Sequence, residues 1–135
     1  MASGIYTTFK EYAGDATVDL DGHTFKVILL GTTHTFNAAD SVLTDVSDNQ
    51  IEGTGYTAGG ETLTCTWSAS GTSMKWDAAD VSWTGASFTA YHAVVYDDTH
   101  ASDALVCSID FGGAQTVSAG TFTIQWNADG ILLVT

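Results

Sequence analysis

Threonine alternates with large apolar residues through ETLTCTW at 61–67 and TFTIQW at 121–126. A period of two admits one regular structure, a strand with one dry face and one wet face. In the first run Leu63, Cys65 and Trp67 stand opposite Thr62, Thr64 and Thr66. In the second, Phe122, Ile124 and Trp126 stand opposite Thr121, Thr123 and Gln125. β-Branched threonine suits the outer face of a pleated sheet. A sheet with one dry face must lay it against another layer.

Other segments extend the pattern. In HTFKVILL, Phe25, Val27 and Leu29 share one face. Ile28 and Leu30 fall on the other, so the far end of that strand needs a second cover. SMKWD and VSWTG read as short strands or edges. In ALVCSIDF, Leu105, Cys107, Ile109 and Phe111 share a face. Phe88, Ala90, His92, Val94 and Tyr96 form one face of the next segment, with Thr89, Tyr91, Ala93 and Val95 on the other. Both faces carry apolar groups, which marks a central strand covered on both sides, or on one side by a partner subunit. Asn127-Ala128-Asp129-Gly130 has the chemistry of a hairpin turn before ILLVT.

Two regions depart from β alternation. Ile5, Phe9 and Tyr12 follow helical spacing, with Ser3 as N-cap and Gly14 as the C-terminal stop. They define an amphipathic N-terminal segment at 1–14. The region 31–60 is polar and weakly patterned, with a helical turn expected near Asn37 to Leu43. A loop of this length in a small domain is usually functional or an assembly contact. No linker composition divides the chain, and 135 residues suit one domain. The expected fold class is all-β: an antiparallel β-sandwich, jelly-roll or immunoglobulin-like, with a short N-terminal helix.

Charge narrows the partners. The net charge is −13, with three lysines and no arginine. Nucleic-acid phosphates and anionic membranes are recognised through many cationic side chains, so neither is an expected partner. No apolar run approaches a membrane span, and the first residues lack the basic and apolar regions of a signal peptide. The chain has no proline, so its turns rely on Gly, Asn and Asp. Cys65 and Cys107 are too few for a disulfide framework and read as reduced and buried.

No motif carries a catalytic assignment, and the chain is expected not to be an enzyme. Gly53-Thr54-Gly55-Tyr56-Thr57-Ala58 matches a dinucleotide fingerprint by letter, but a threonine-rich strand follows where a helix is required. His23, His34, His92 and His100 show no zinc-binding spacing. Asp19 with Asp21, Asp77 with Asp80, and Asp97 and Asp98 with Asp103 offer oxygens to a structural calcium ion. None matches an EF-hand, and aspartate between strands also makes turns through its own side chain. No cofactor is expected. Trp67 and Trp126 alternate in phase with core residues. Trp76 and Trp83 lie near strand ends and are the tryptophans expected at a surface, for a sugar or for a partner.

Several runs together resemble one family. They are Ile5-Tyr6 with Phe9-Lys10, Asp21 to Leu30, Asp45 to Ile51, Gly53 to Leu63, Tyr91 to Asp98, Ile109 to Gly113 and Asn127 to Ile131. Through these the chain resembles a group of small tailed-phage virion structural proteins, nearly end to end. The Gly-Thr-Gly-Tyr-Thr-Ala-Gly-Gly run and the Val-Val-Tyr-Asp-Asp strand end are its more specific marks. The resemblance implies a virion part, with a capsid decoration (cement) protein as the leading expectation. It implies the major capsid protein or another virion protein as partner, and a small homo-oligomer, a trimer by analogy. It brings no catalytic residues. Contacts are expected at Ile5, Phe9 and Tyr12 and in the Gly53–Gly60 loop at Gly55 and Tyr56. A tail or fibre accessory protein binding host glycan through Trp76 or Trp83 is the alternative. A self-assembling β-filament subunit is a third.

Overall fold

A computed structural model describes residues 3–135. The chain runs β1 (Gly4–Ile5), α1 (Thr7–Gly14), β2 (Phe25–Leu30), β3 (Glu61–Thr62), β4 (Cys65–Ser70), β5 (Ser73–Ala78), β6 (Val81–Asp97), β7 (Ala104–Ile124) and β8 (Leu132–Val134). One sheet has the order β1-β7-β6-β2-β3 and the other β4-β5-β8, with antiparallel pairing throughout. The fold is an all-β sandwich with a short N-terminal helix.

The two sheets close on a core of Phe25, Val27, Leu29, Trp76, Trp83, Phe88, Val95 and Val106. A second buried cluster lies on the opposite face of the large sheet and holds Tyr6, Ile28, Leu30, Val46, Val94, Tyr96 and Leu105. The far-face cover demanded by Ile28 and Leu30 therefore comes from the chain's own 31–60 region. That region is tightly tied. The Asp45 carboxylate accepts the backbone N–H groups of Ser41 (2.8 Å) and Val42 (3.1 Å). Those bonds hold its pKa below the usual carboxylate value. Short 3-10 turns form at Leu43–Asp45 and Ser47–Asn49, slightly beyond the expected helical turn.

Several elements differ from the sequence expectation. ETLTCTW is not one strand: β3 pairs with β2 in the large sheet, and β4 pairs with β5 in the small one. Its alternation survives the crossing, with Leu63 buried and Thr62, Thr64 and Thr66 exposed. VSWTG is the start of the continuous β6 rather than a separate strand. Register shifts interrupt the hairpin between Ala90 and His92 and between Val95 and Tyr96; across the first, later β6 side chains change face, and across the second, where Val106 is the extra residue, β7 side chains do. Phe88 and Ala90 thus face the inter-sheet core, while Val94 and Tyr96 face the second cluster. Leu105 likewise parts from Cys107, Ile109 and Phe111. The Asn127–Gly130 turn forms, with Gly130 N–H on the Asn127 carbonyl at 2.8 Å. It leads across to the other sheet, where β8 pairs with β5, so it is not a hairpin.

The N-terminal segment is also corrected. The helix begins at Thr7 with Tyr6 at the N-cap position, not at Ser3. Ile5 lies in β1, paired with Cys107, and shares no helix face with Phe9 and Tyr12. Phe9 is buried in the main core, and Tyr12 packs at its margin, stacked on His100 at 5.2 Å.

Candidate functional site

The N-terminal and loop residues expected at contacts are mostly used internally. The Tyr56 hydroxyl donates to Gln50 Oε1 (2.7 Å) and accepts Leu29 N–H (3.2 Å). Its ring packs near Trp83 and Phe88. Burial pushes this phenol up to about 12. Gly55 has φ +84° and lies against the β6 backbone at Gly85 and Ala86, where a side chain would collide. The Gly53–Gly60 loop is thus stitched to its own sheet, through Ser87 N–H on Thr54 O and Tyr96 O–H on Gly59 O.

Trp76 and Trp83 are fully buried, which corrects their expected place at a surface. Trp76 meets Phe25 edge-on at 4.8 Å and donates its indole N–H to the Leu20 carbonyl at 3.1 Å. Trp83 packs on Phe122 at 5.9 Å. Trp67 and Trp126 pack against the main core as their alternation implies, but at its margin, half-exposed. Cys107 is buried and Cys65 half-buried rather than buried; both are free thiols, and burial raises their pKa values to about 12 and about 11.

The aspartate groups build turns. Asp19 Oδ1 accepts the N–H groups of Asp21 and Gly22, both at 3.0 Å. The buried Asp97 accepts from Thr99 (2.9 Å) and His100 (3.2 Å) through Oδ1 and bonds His23 through Oδ2. Asp80 accepts Trp126 N–H, and Asp77 pairs with Lys75 at 3.3 Å. Among the described residues no three His, Cys, Asp or Glu side chains gather as metal ligands.

One Ser-His-His-Asp constellation does assemble beneath the second cluster. His34 Nε2 lies 3.2 Å from Ser108 Oγ, and the His34 and His92 rings meet edge-on at 4.9 Å. His92 Nδ1 is 3.9 Å from Asp110 Oδ1, beyond hydrogen-bond reach, and neither of its ring nitrogens has a hydrogen-bond partner. His34, His92 and Ser108 are all buried, so no substrate reaches the hydroxyl in this arrangement. Burial depresses the pKa of both histidines, with Asp110 opposing the shift. At these two sites the folded state therefore binds fewer protons than the unfolded chain. Their contribution to stability is complete above the unfolded value of 6.5 and falls as pH drops below it. The slope is at most about 1.4 kcal/mol per pH unit for each histidine. Melting curves between pH 8 and pH 5.5 should show this loss, and His92→Leu should flatten it.

The distinctive surface is elsewhere. Val81 to Tyr96 and Phe111 to Ala128 contain no Asp, Glu, Lys or Arg, in a chain of net charge −13. These two stretches pair with each other in the β6–β7 hairpin. β1 covers the outer edge of β7 only at Cys107 and Ser108. From Phe111 to Ile124 that edge has no strand partner among the described residues. β8 forms the neighbouring edge of the small sheet and is itself uncharged. Beside the β7 edge, and reaching the segment just before β8, runs a groove of about 690 Å³ lined by Phe111, Val117, Phe122, Ile124, Trp126 and Ile131. A second groove of about 430 Å³ shares Ile109 and Ile131 with it and reaches Ile5, Lys10 and Val134. Among the described residues the exposed large hydrophobic ones, Ile5 (38%), Leu133 (42%) and Val134 (57%), all lie along this side. Of the contact residues expected from sequence, only Ile5 is there and accessible. The signal that marks this side in the sequence is the absence of charge from 111 to 128.

In comparisons with known proteins, no family model, no curated protein and no solved structure matches this chain.

Proposed function

We propose that this chain is a non-enzymatic virion structural protein, a capsid decoration (cement) protein on the outer head of a tailed phage. The observation that carries the reading is an acidic β-sandwich whose paired stretches 81–96 and 111–128 and larger groove carry no charged side chain, beside strand edges that are free among the described residues. Such a side suits assembly, because contact there brings no like charges together. A decoration protein needs a rigid body, a surface for its own kind and a surface for the shell; it needs no chemistry. The charge of −13 supports a place outside the shell, since packaged DNA would repel it. The resemblance carried by Gly53–Gly60 and Val94–Asp98 supports a virion part, with the major capsid protein as partner and a trimer as the oligomer. Assembly would take place in the bacterial host cytoplasm.

The test is the copy number of the chain per purified particle, relative to the major capsid protein, by quantitative mass spectrometry. Hundreds of copies in a simple ratio to the capsid protein are the expected result. A few to tens of copies would move the protein to the neck, tail or fibre. Absence from the particle would sink the virion reading.

One observation favours the tail or fibre alternative. Half-exposed Trp126 lines the larger groove beside Gln125, Asn127 and Gln115, an aromatic face among neutral hydrogen-bonding groups. That is the chemistry a glycan needs. Under this reading a glycan array gives binding that Trp126→Ala removes, and Trp67→Ala leaves it intact.

A further inference from the structure

We infer that the uncharged side between β7 and β8 is where two copies of this chain meet, with β8 of one copy adding to the free β7 edge of the other. The inference rests on the homo-oligomer in the proposed function and assigns its surface.

Three observations converge on a second copy as the occupant. The first is charge. Two molecules of net charge −13 repel wherever their acidic surfaces approach, and the cheapest homotypic contact is at the surface without charge. The second is the edge. From Phe111 to Ile124 the outer edge of β7 has no strand partner among the described residues, and side chains take up only the Gly112 and Ala119 N–H groups, on Asp110 Oδ1 and Ser87 Oγ. Long edges are usually blunted by charge or proline, and this one carries neither. The third is fit. Irregular backbone at Gly112, Gly113 (φ +80° and +156°) and Ala119 (φ +48°) brackets a short regular stretch, in which Gln115, Thr116 and Val117 pair with β6. β8 spans three residues, has an outer edge free among the described residues and exposes Leu133 and Val134. A short apolar strand of this kind matches the short stretch in length, and its side chains suit the apolar part of the groove beside it, Phe111, Val117 and Phe122. Strand addition of this type draws affinity from main-chain bonds and selectivity from the groove.

The experiment uses the full chain and reads solution mass by native mass spectrometry and sedimentation across concentration. Gln115 and Val134 are exposed, so charge can be placed there without disturbing the core. The wild type is expected as two or more chains. Gln115→Glu/Val134→Glu should raise the concentration of half-association on the order of tenfold or more. Ser68→Glu/Ser70→Glu, on the exposed β4 edge, should leave it unchanged. Mixing the Glu pair with Gln115→Lys/Val134→Lys chains should restore association, which a merely damaged fold would not do. Circular dichroism and melting of each variant establish that it is folded. A wild type that stays monomeric at every concentration overturns the inference, whether or not it binds glycan. So does an oligomer indifferent to the open-side charges. Either result leaves the virion copy number free to stand, so the two proposals fail separately.

Discussion

Trp76→Ala is expected to destabilise the fold by about 3–5 kcal/mol, the usual range for removing a large aromatic from a core. Few single positions in the chain combine so many roles. The indole is fully buried and sets its edge relation to Phe25, which joins the two sheets. Its N–H satisfies the Leu20 carbonyl, so truncation leaves that acceptor without its partner. Its backbone lies between β4 and β8, paired with Trp67 and Leu132. The melting midpoint should fall by roughly 10–20 °C. Trp126→Phe, at a half-exposed position, should cost less than about 1.5 kcal/mol. Urea titrations of the two variants decide the matter. If Trp76→Ala melts with the wild type, Trp76 does not pack between the two sheets against Phe25. The contrast also bears on glycan assays: lost binding in Trp76→Ala would report unfolding rather than a missing platform.

Gly60→Ala should be comparably severe, at roughly 3–5 kcal/mol, for a different reason. The residue has φ +77°, and an added Cβ would overlap the Val27 carbonyl oxygen. The colliding atoms are backbone of β2, which pairs on its other side with β6 along its whole length. A flexible side chain could swing away; a strand held in register cannot. The loss combines collision with the strain of a left-handed backbone. Gly14→Ala provides the opposite sign. No atom lies within 4 Å of a Cβ built there, and the position ends a helix. That variant should gain up to about 1 kcal/mol by restricting the unfolded chain. Equal stability of the two variants in denaturant would contradict the close approach of β3 to β2.

Strand faces that depend on side-chain alternation alone were legible from the sequence. Phe25, Val27 and Leu29 lie in the main core, and Ile28 and Leu30 needed and found a second cover. What alternation cannot carry is an inserted residue. The bulge between Ala90 and His92 reassigns the face of every later residue in β6, and no local composition announces it. Trp76 shows a related limit. A tryptophan near a strand end reads as peripheral, but the chain returns over it through the 19–22 turn and β8. Ile5 fell outside its expected helix because strand pairing with Cys107 outweighs a weak helical spacing at the chain start. The candidate site was the least legible part. Aromatic and helical positions stand out in the sequence as contact residues, whereas the open side is defined by missing charge and by strand edges that only the sheet order reveals.

The strand order also sets the sequence in which this molecule can form. β6 and β7 are joined by the short 98–103 connection, so their pairing closes a small loop and can come early. Gly4 pairs with Ser108 and Met74 with Val134, contacts that must wait for distant segments to meet. Such long-range pairing places refolding in the millisecond-to-second regime of β-sandwiches rather than among fast helical folders. During that interval the hairpin exists before the strands that cover its sides. Its lack of charge, useful for contact in the finished molecule, then becomes a hazard, and refolding yield should fall steeply with protein concentration.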